Sequence, residues 1–144
     1  MKGLKIILIN VKLEDRMKVA GFFAGVGGIE LGFKQAGFDI VWSNEIDKNA
    51  AITFKENYTH TLIVDDISNI KSCDVPDVDI IVGGFPCQAF SVAGYRKGFE
   101  DERGEIFFQL ARIINDKQPR VIFIENVKNL LSHDNGNTFK VIKE

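Results

Sequence analysis

A doubly wound α/β fold with a mostly parallel sheet is what this sequence predicts, on three observations. Five short apolar runs, at residues 18–23, 39–43, 61–64, 78–82 and 120–124, are bounded by glycine, proline or acidic residues and have the length of buried strands. Helix-like stretches lie between them, and alternation of strand with helix implies parallel strands joined by right-handed crossovers. No internal repeat, low-complexity tract or proline-rich or serine-rich linker interrupts the pattern.

The elements follow in order. The first run leads into a glycine-rich stretch, after which Ile29, Gly32, Phe33 and Ala36 recur on one face of a helix over residues 28–36. The second precedes a helix over 48–57 that carries Ala51 and Ile52, with Tyr58 close by. Between the fourth and fifth runs, residues 103–117 space Phe107, Leu110, Ala111 and Ile114 helically. From Leu130 the chain reads as a polar loop, Ser132-His133-Asp134-Asn135-Gly136-Asn137, and a helix starts at Thr138. Sheets of this kind usually continue, so the architecture reads as truncated after about the fifth strand. That strand should present an open edge to another chain or a second copy.

The 144 residues are 45% hydrophobic and 26% charged, which suits one globular domain with a core of its own. A formal net charge of −2 argues against a freestanding nucleic-acid binder, which needs a basic surplus to neutralise phosphates. Any DNA contact must then come from local basic residues or a partner. Cys73 and Cys87 have neither metal spacing nor a disulfide framework, so no metal site is expected and a reducing cytoplasm fits. Residues 4–11 are apolar, but they are few, contain Lys5 and run into a charged stretch, which is not the pattern of a signal peptide. No run approaches the roughly 20 apolar residues of a membrane span, and a soluble protein is expected. Residues 1–16 read as an extension, an alternative start or an added strand.

Chemistry-bearing residues fall at the ends of the strands. Phe22-Phe23-Ala24-Gly25-Val26-Gly27-Gly28 is a glycine-rich turn between a strand and a helix, where a ligand can approach the backbone near a helix N-terminus. A tight turn without a ligand would look the same in isolation. Glu45 and Asp66, however, end or follow the next two strands, at the carboxyl edge where such sheets bind ligands. Glu45 is placed to accept two ribose hydroxyls, and Asp66 to accept an exocyclic amine of adenine with Ile46 or Ile67 beside the ring. The glycine spacing does not fit the G-x-G-x-x-G dinucleotide fingerprint, so a nucleoside without pyrophosphate, such as S-adenosylmethionine, is the better ligand.

Gly83-Gly84-Phe85-Pro86-Cys87-Gln88-Ala89-Phe90-Ser91 follows the fourth strand directly. Two glycines allow a sharp turn and Pro86 fixes the backbone before the thiol, so Cys87 is expected at the ligand edge as a nucleophile. A lone cysteine is elsewhere more often a small buried hydrophobe. Cys73 has no such setting and is expected to be structural or exposed. Glu125-Asn126-Val127 ends the fifth strand. A carboxyl group there could be structural, or it could hydrogen-bond cytosine N3 while a thiol adds to C6.

Taken in order, these residues resemble the bacterial cytosine-C5 DNA methyltransferases of restriction-modification systems, from about Met17 onward. The turn Phe23-Ala24-Gly25-Val26-Gly27-Gly28 is similar to that family's cofactor motif. Asn44-Glu45-Ile46-Asp47 and Asp66-Ile67 are similar to its ribose and adenine contacts. Gly84-Phe85-Pro86-Cys87-Gln88 resembles the nucleophile motif, Arg103-Gly104-Glu105-Ile106-Phe107-Phe108 the segment opening the next helix, and Glu125-Asn126-Val127 the base-activating motif. The resemblance implies a Rossmann-like S-adenosylmethionine-dependent methyltransferase fold acting on a cytosine flipped out of double-stranded DNA. It implies catalysis by Cys87 and Glu125. Phe23, Ala24, Gly25, Gly27, Gly28, Glu45, Ile46, Asp66, Ile67, Pro86 and Ile106 would bind the cofactor. Phe85, Gln88, Ser91, Arg96, Lys97, Asn126 and Val127 would face the substrate, the stretch from Gly94 to Gly98 being a loop that closes over DNA.

Two departures stand out. Gly21 occupies a position where the family commonly has aspartate. The family also continues with an arginine-bearing motif, a target-recognition domain and a late segment beside the cofactor turn. Residues 17–144 therefore read as the front half of the catalytic domain without the recognition domain, and a second polypeptide carrying the missing strands is the expected partner. An inactive remnant that binds cofactor weakly or oligomerises, and a relative acting on RNA, are the alternative readings.

Overall fold

A computed structural model describes residues 16–86 and 102–143. Its elements are β1 (Lys18–Phe22), α1 (Gly28–Gln35), β2 (Asp39–Glu45), α2 (Lys48–Asn57), β3 (Thr61–Val64), β4 (Ile80–Gly83), α3 (Glu102–Lys117), β5 (Val121–Ile124) and α4 (Asn137–Lys143). The strands form one sheet in the order β3-β2-β1-β4-β5, every neighbouring pair parallel. From β1 the chain winds outward through β2 to β3, then returns to place β4 on the other side of β1. The carboxyl ends of β1 and β4 thus flank the point where the winding reverses, which is where open α/β sheets hold ligands.

Helices cover both faces. On one face α3 packs Leu110 and Ile113 against Ala20, Phe22, Trp42 and Ile81, with Ile67, Ile70 and Val75 from short 3-10 turns closing the layer. On the other, α1 lays Ile29 and Phe33 on Val19, Ile40, Ile80 and Val82, and α2 contributes Phe54 to a cluster with Ala24 and Tyr58. Asp47 starts α2 as an N-cap, its Oδ1 accepting from the amides of Asn49 and Ala50.

One irregularity in β2 governs the site. Val19 pairs with Ile40, but Ala20 pairs with Trp42, so Val41 is an extra residue bulged out of the register. Ile40 faces α1 while Trp42 faces α3, although plain alternation would put both on one face. Everything after Val41 is thereby turned over.

The expected elements match these to within a few residues, with differences that have local causes. The fourth strand begins at Ile80, two residues after Val78, and β2 extends through Glu45 because Trp42 to Glu45 pair with β3. In α2 the buried residues are Ala51 and Phe54, while Ile52 points to solvent. The stretch from Leu130 to Asn137, expected as a polar loop, lies largely in two 3-10 turns, Lys128–Leu131 and His133–Gly136, with Asp134 and Asn135 in the left-handed region. There the His133 ring is buried against Thr138 Oγ1 at 2.7 Å, which pins the turn to α4. Strand β5 forms one edge of the sheet, with Val121, Ile122 and Phe123 nearly half exposed. Among the described residues no helix is long and apolar enough to cross a membrane.

Candidate active site

The glycine turn is built around two fixed points. Phe23 and Gly25 both have positive φ, and Gly27 has φ 93° at the start of α1. A side chain on Gly27 would also overlap the Tyr58 ring, so the position requires glycine for both conformation and space. The Tyr58 hydroxyl donates to Gly27 O at 2.5 Å, anchoring the turn to the end of α2. The second fixed point is Glu45, which is 7% exposed. Its Oε2 accepts from the Gly25 amide at 2.6 Å and its Oε1 from the Asp47 amide at 2.7 Å. A carboxylate offers about four acceptor sites, so two remain for hydroxyl donors from a ligand.

Asn44 ties the neighbouring strand end in place. Its amide donates to the carbonyls of Ile63 and Asp65 at 3.1 and 2.8 Å, holding the exit of β3 against β2. Beyond it, Asp66 Oδ1 accepts from the amide and hydroxyl of Ser68, capping the 3-10 turn Ile67–Asn69. One oxygen of Asp66 is therefore engaged structurally, which adds a capping role that was not anticipated.

Phe23, Asn44, Ile46, Asp65, Asp66, Ile67, Pro86 and Ile106 line a single narrow cleft at the carboxyl edge. Six of those eight are expected cofactor residues, drawn together from five segments of the chain. Ile46 is 60% exposed, a large apolar side chain left at the mouth of a cleft flanked by acidic groups. An acceptor at Asp66 and apolar walls from Phe23, Ile46 and Ile67 suit the adenine of S-adenosylmethionine, while Glu45, Gly25, Gly27 and Gly28 stand at the adjoining turn and do not line the cleft itself.

After β4, Gly84, Phe85 and Pro86 run along the carboxyl edge. Phe85 is 2% exposed and packs with Phe107 and Leu130, so its ring belongs to the core and only its backbone is left for the substrate contact expected of it. Its carbonyl instead accepts from the Asn126 side-chain amide at 2.9 Å. Asn126 thereby braces the turn that leads to Cys87. The Glu125 amide donates to Gly83 O at 3.0 Å, and Glu125 Oε2 stands 3.1 Å from where a side chain on Gly84 would begin. Glu125 is exposed and, with Phe123, borders a groove along α1. Val127 is exposed beside it.

Cys87, Gln88, Ser91, Arg96 and Lys97 lie outside the described residues, as do residues 1–15. Cys73 is exposed, one of the two settings expected for it. The sequence reading missed Tyr58 and Asn44 as supports for the turn and the strand ends. Helical spacing marked Tyr58 as apolar core, and no local signal reveals that its hydroxyl reaches Gly27.

Comparison with known proteins points in one direction. Residues 17–144 match the family model for C-5 cytosine-specific DNA methylases. The chain is 64% identical over 130 residues to the type II methyltransferase M.Bsp6I of Bacillus sp. (strain RFL6), covering 89% of this chain and 41% of the relative. It is 47% identical over 138 residues to M.HhaI of Haemophilus parahaemolyticus, covering 96% of this chain and 42% of that protein. The chain thus spans about two fifths of the length of these curated relatives. Among solved structures, a DNA modification methyltransferase encoded within an E. coli prophage superposes with a TM-score of 0.73 at 27% identity, over 88% of this chain and 36% of that one. The S. pombe Dnmt2 methyltransferase shares the fold, with a TM-score of 0.69 at 21% identity over 88% of this chain and 39% of that one.

Proposed function

The chain belongs to the C-5 cytosine-specific DNA methylase family, and from that premise we propose that it is the catalytic front part of an enzyme that methylates C5 of cytosine in double-stranded DNA. The observation that carries this reading is the convergence at the winding reversal of a glycine turn held by Glu45, a cleft walled by Phe23, Asp66, Ile67 and Pro86, and Glu125 over Gly84. S-adenosylmethionine, when bound, supplies an electrophilic methyl group on a sulfonium.

The residues divide the work by position. Glu45 accepts the ribose hydroxyls with the lone pairs left by its two backbone donors, while Asp66 and the apolar walls hold the adenine. Cytosine C6 is a poor electrophile, so thiolate addition by Cys87 needs the charge that develops on the ring to be met at N3. Glu125 meets it by donating a proton or hydrogen bond there. As the Cys87 sulfur bonds to C6, C5 becomes nucleophilic and takes the methyl group. A base removes the C5 proton, the sulfur–C6 bond breaks, and 5-methylcytosine and S-adenosylhomocysteine result. Asn126 keeps the Cys87 turn in register with Glu125 through the Phe85 carbonyl. Arg96 and Lys97 contact DNA phosphates, with Gln88 and Ser91 near the flipped base.

Further strands and a recognition domain, on this polypeptide or on another, complete the enzyme. The half-exposed Val121, Ile122 and Phe123 on edge strand β5 support this, since such an apolar edge buries readily against another strand or helix. The test is methyl transfer from labelled S-adenosylmethionine to mixed-sequence DNA, and to RNA in parallel. This chain would be assayed alone and with the product of the adjoining downstream reading frame. DNA methylation by the mixture that disappears with Cys87→Ser supports the reading. No transfer despite a folded partner would favour an inactive remnant that binds cofactor weakly or self-associates, and transfer to RNA alone would move the substrate class.

A further inference from the structure

Helix α1 buries a carboxyl group that the proposed chemistry does not use. Glu30, in the first turn of α1, is 1% exposed. Its carboxyl fills a notch in β1: any side chain on Gly21 would overlap Glu30 Oε1, and Ser43 Oγ lies 3.1 Å from the same point. Glu30 Oε2 is buried with no hydrogen-bond partner among the described residues. Burial is the main reason its pKa is pushed up to about 7; the Glu45 carboxylate adds to the rise, while bonds from its own backbone and from Ser43 oppose it.

The groups behind the notch are arranged to match. Ser43 Oγ also lies 3.0 Å from His60 Nε2, and burial, with Lys34 assisting, holds His60 below its ordinary value. From β2, Glu45 faces Glu30 as a like charge, and from the end of α2 Tyr58 feels the Glu30 charge. Lys34, on α1 itself, lies 5.5 Å over the Tyr58 ring. Gly21 brings no charge from β1.

We propose that Glu30 is a positioning residue for the cofactor site: seated over Gly21 and backed by Ser43 and His60, it fixes the start of α1 and so sets the Gly25 amide against Glu45. The connection is short and covalent. Residues 25–30 form one continuous piece whose ends are the Gly25–Glu45 bond and the Glu30 carboxyl. Ionised, Glu30 would put a second negative charge on the same face of the sheet as Glu45, in a notch where Oε2 has no donor among the described residues. Either Glu30 leaves the notch or Glu45 turns away, and both outcomes loosen the glycine turn. The neutral carboxyl is therefore the working form. The consequence for ligand affinity rests on the reading that Glu45 holds the ribose of S-adenosylmethionine.

The experiment uses S-adenosylhomocysteine as the probe, with calorimetric affinities for this chain at pH 6 and pH 8.5. Hydrogen exchange at the Gly25 and Gly28 amides, without ligand, provides a second measurement. Wild type should bind about thirtyfold more weakly at the higher pH, as expected when binding needs a proton held with a pKa of about 7. Glu30→Gln should match wild type at pH 6 and lose that dependence, and Glu30→Ala should bind weakly at both. Gly21→Ala should reproduce Glu30→Ala and add nothing when combined with it. Amide exchange in the turn should be faster in Glu30→Ala and restored in Glu30→Gln. Equal pH dependence in wild type and Glu30→Gln, or unchanged exchange in Glu30→Ala, overturns the proposal. If no variant binds the probe while exchange follows the expected pattern, positioning stands and the cofactor reading fails.

Discussion

Replacing Glu30 with glutamine should change how the stability of this chain depends on pH. On folding, burial moves the Glu30 carboxyl from 4.5 to about 7. At roughly 1.4 kcal/mol per pKa unit, that difference corresponds to about 3 kcal/mol. The carboxyl is 1% exposed, so solvent screening takes little from this figure. Because the folded-state value is raised, the unfolded chain loses its proton first. The stability linked to Glu30 is therefore fully present below pH 4.5 and is lost as the pH rises through about 7. His60 acts in the opposite sense, since its folded value is lowered and its contribution grows as the pH rises toward its ordinary value of 6.5. The raw curve mixes both effects, but the difference between wild type and Glu30→Gln isolates the carboxyl. Urea unfolding between pH 4.5 and 8.5 should show wild type losing about 3 kcal/mol relative to the variant across that range. A flat difference curve would mean that the carboxyl is hydrated or already ionised in the folded chain, and the account of the Gly21 notch would be wrong.

Three further outcomes follow from the site. Glu45→Gln keeps the shape but offers one acceptor oxygen to the Gly25 and Asp47 amides, so one is left unpaired at a cost of about 1–3 kcal/mol in unfolding free energy, and S-adenosylhomocysteine binding measured by calorimetry weakens in parallel. Glu125→Gln in the reconstituted enzyme should lower single-turnover methyl transfer by about 10²- to 10⁴-fold while cofactor affinity stays unchanged, because Glu125 lies outside the cleft proposed for the nucleoside. Tyr58→Phe retains the ring packed on Phe54 and removes the hydroxyl bond to Gly27 O, so denaturant unfolding should register a loss of about 1 kcal/mol.

Much of the fold was legible because each strand is a short apolar run closed by a breaker and each crossover helix carries a spaced apolar face. Ile29 and Phe33 of α1, and Phe107 and Leu110 of α3, pack where periodicity put them. Ile52 and Phe54 show the limit: both are apolar on one short helix, and which of them is buried depends on where β2 and β3 lie. Phe85 shows another, since its place in a functional motif says nothing about which way its ring turns, and the ring fills a space between Phe107 and Leu130.

By itself the sequence determined the parallel alternation of strand and helix, the glycine turn, and the placing of acidic groups at strand ends. These follow from local pattern and from the chain direction that parallel strands share. The tertiary structure alone decided which face each strand-end group occupies. The bulge at Val41 inverts the alternation of β2, so Ser43 and Glu45 face α1 while Asn44 faces the cleft. Pairing with β1 creates that slip, and no pattern within residues 39–45 announces it. The Glu30 notch has the same origin: Gly21 and Ser43 form it from two adjacent strands, and Glu30 enters it from a helix on one face.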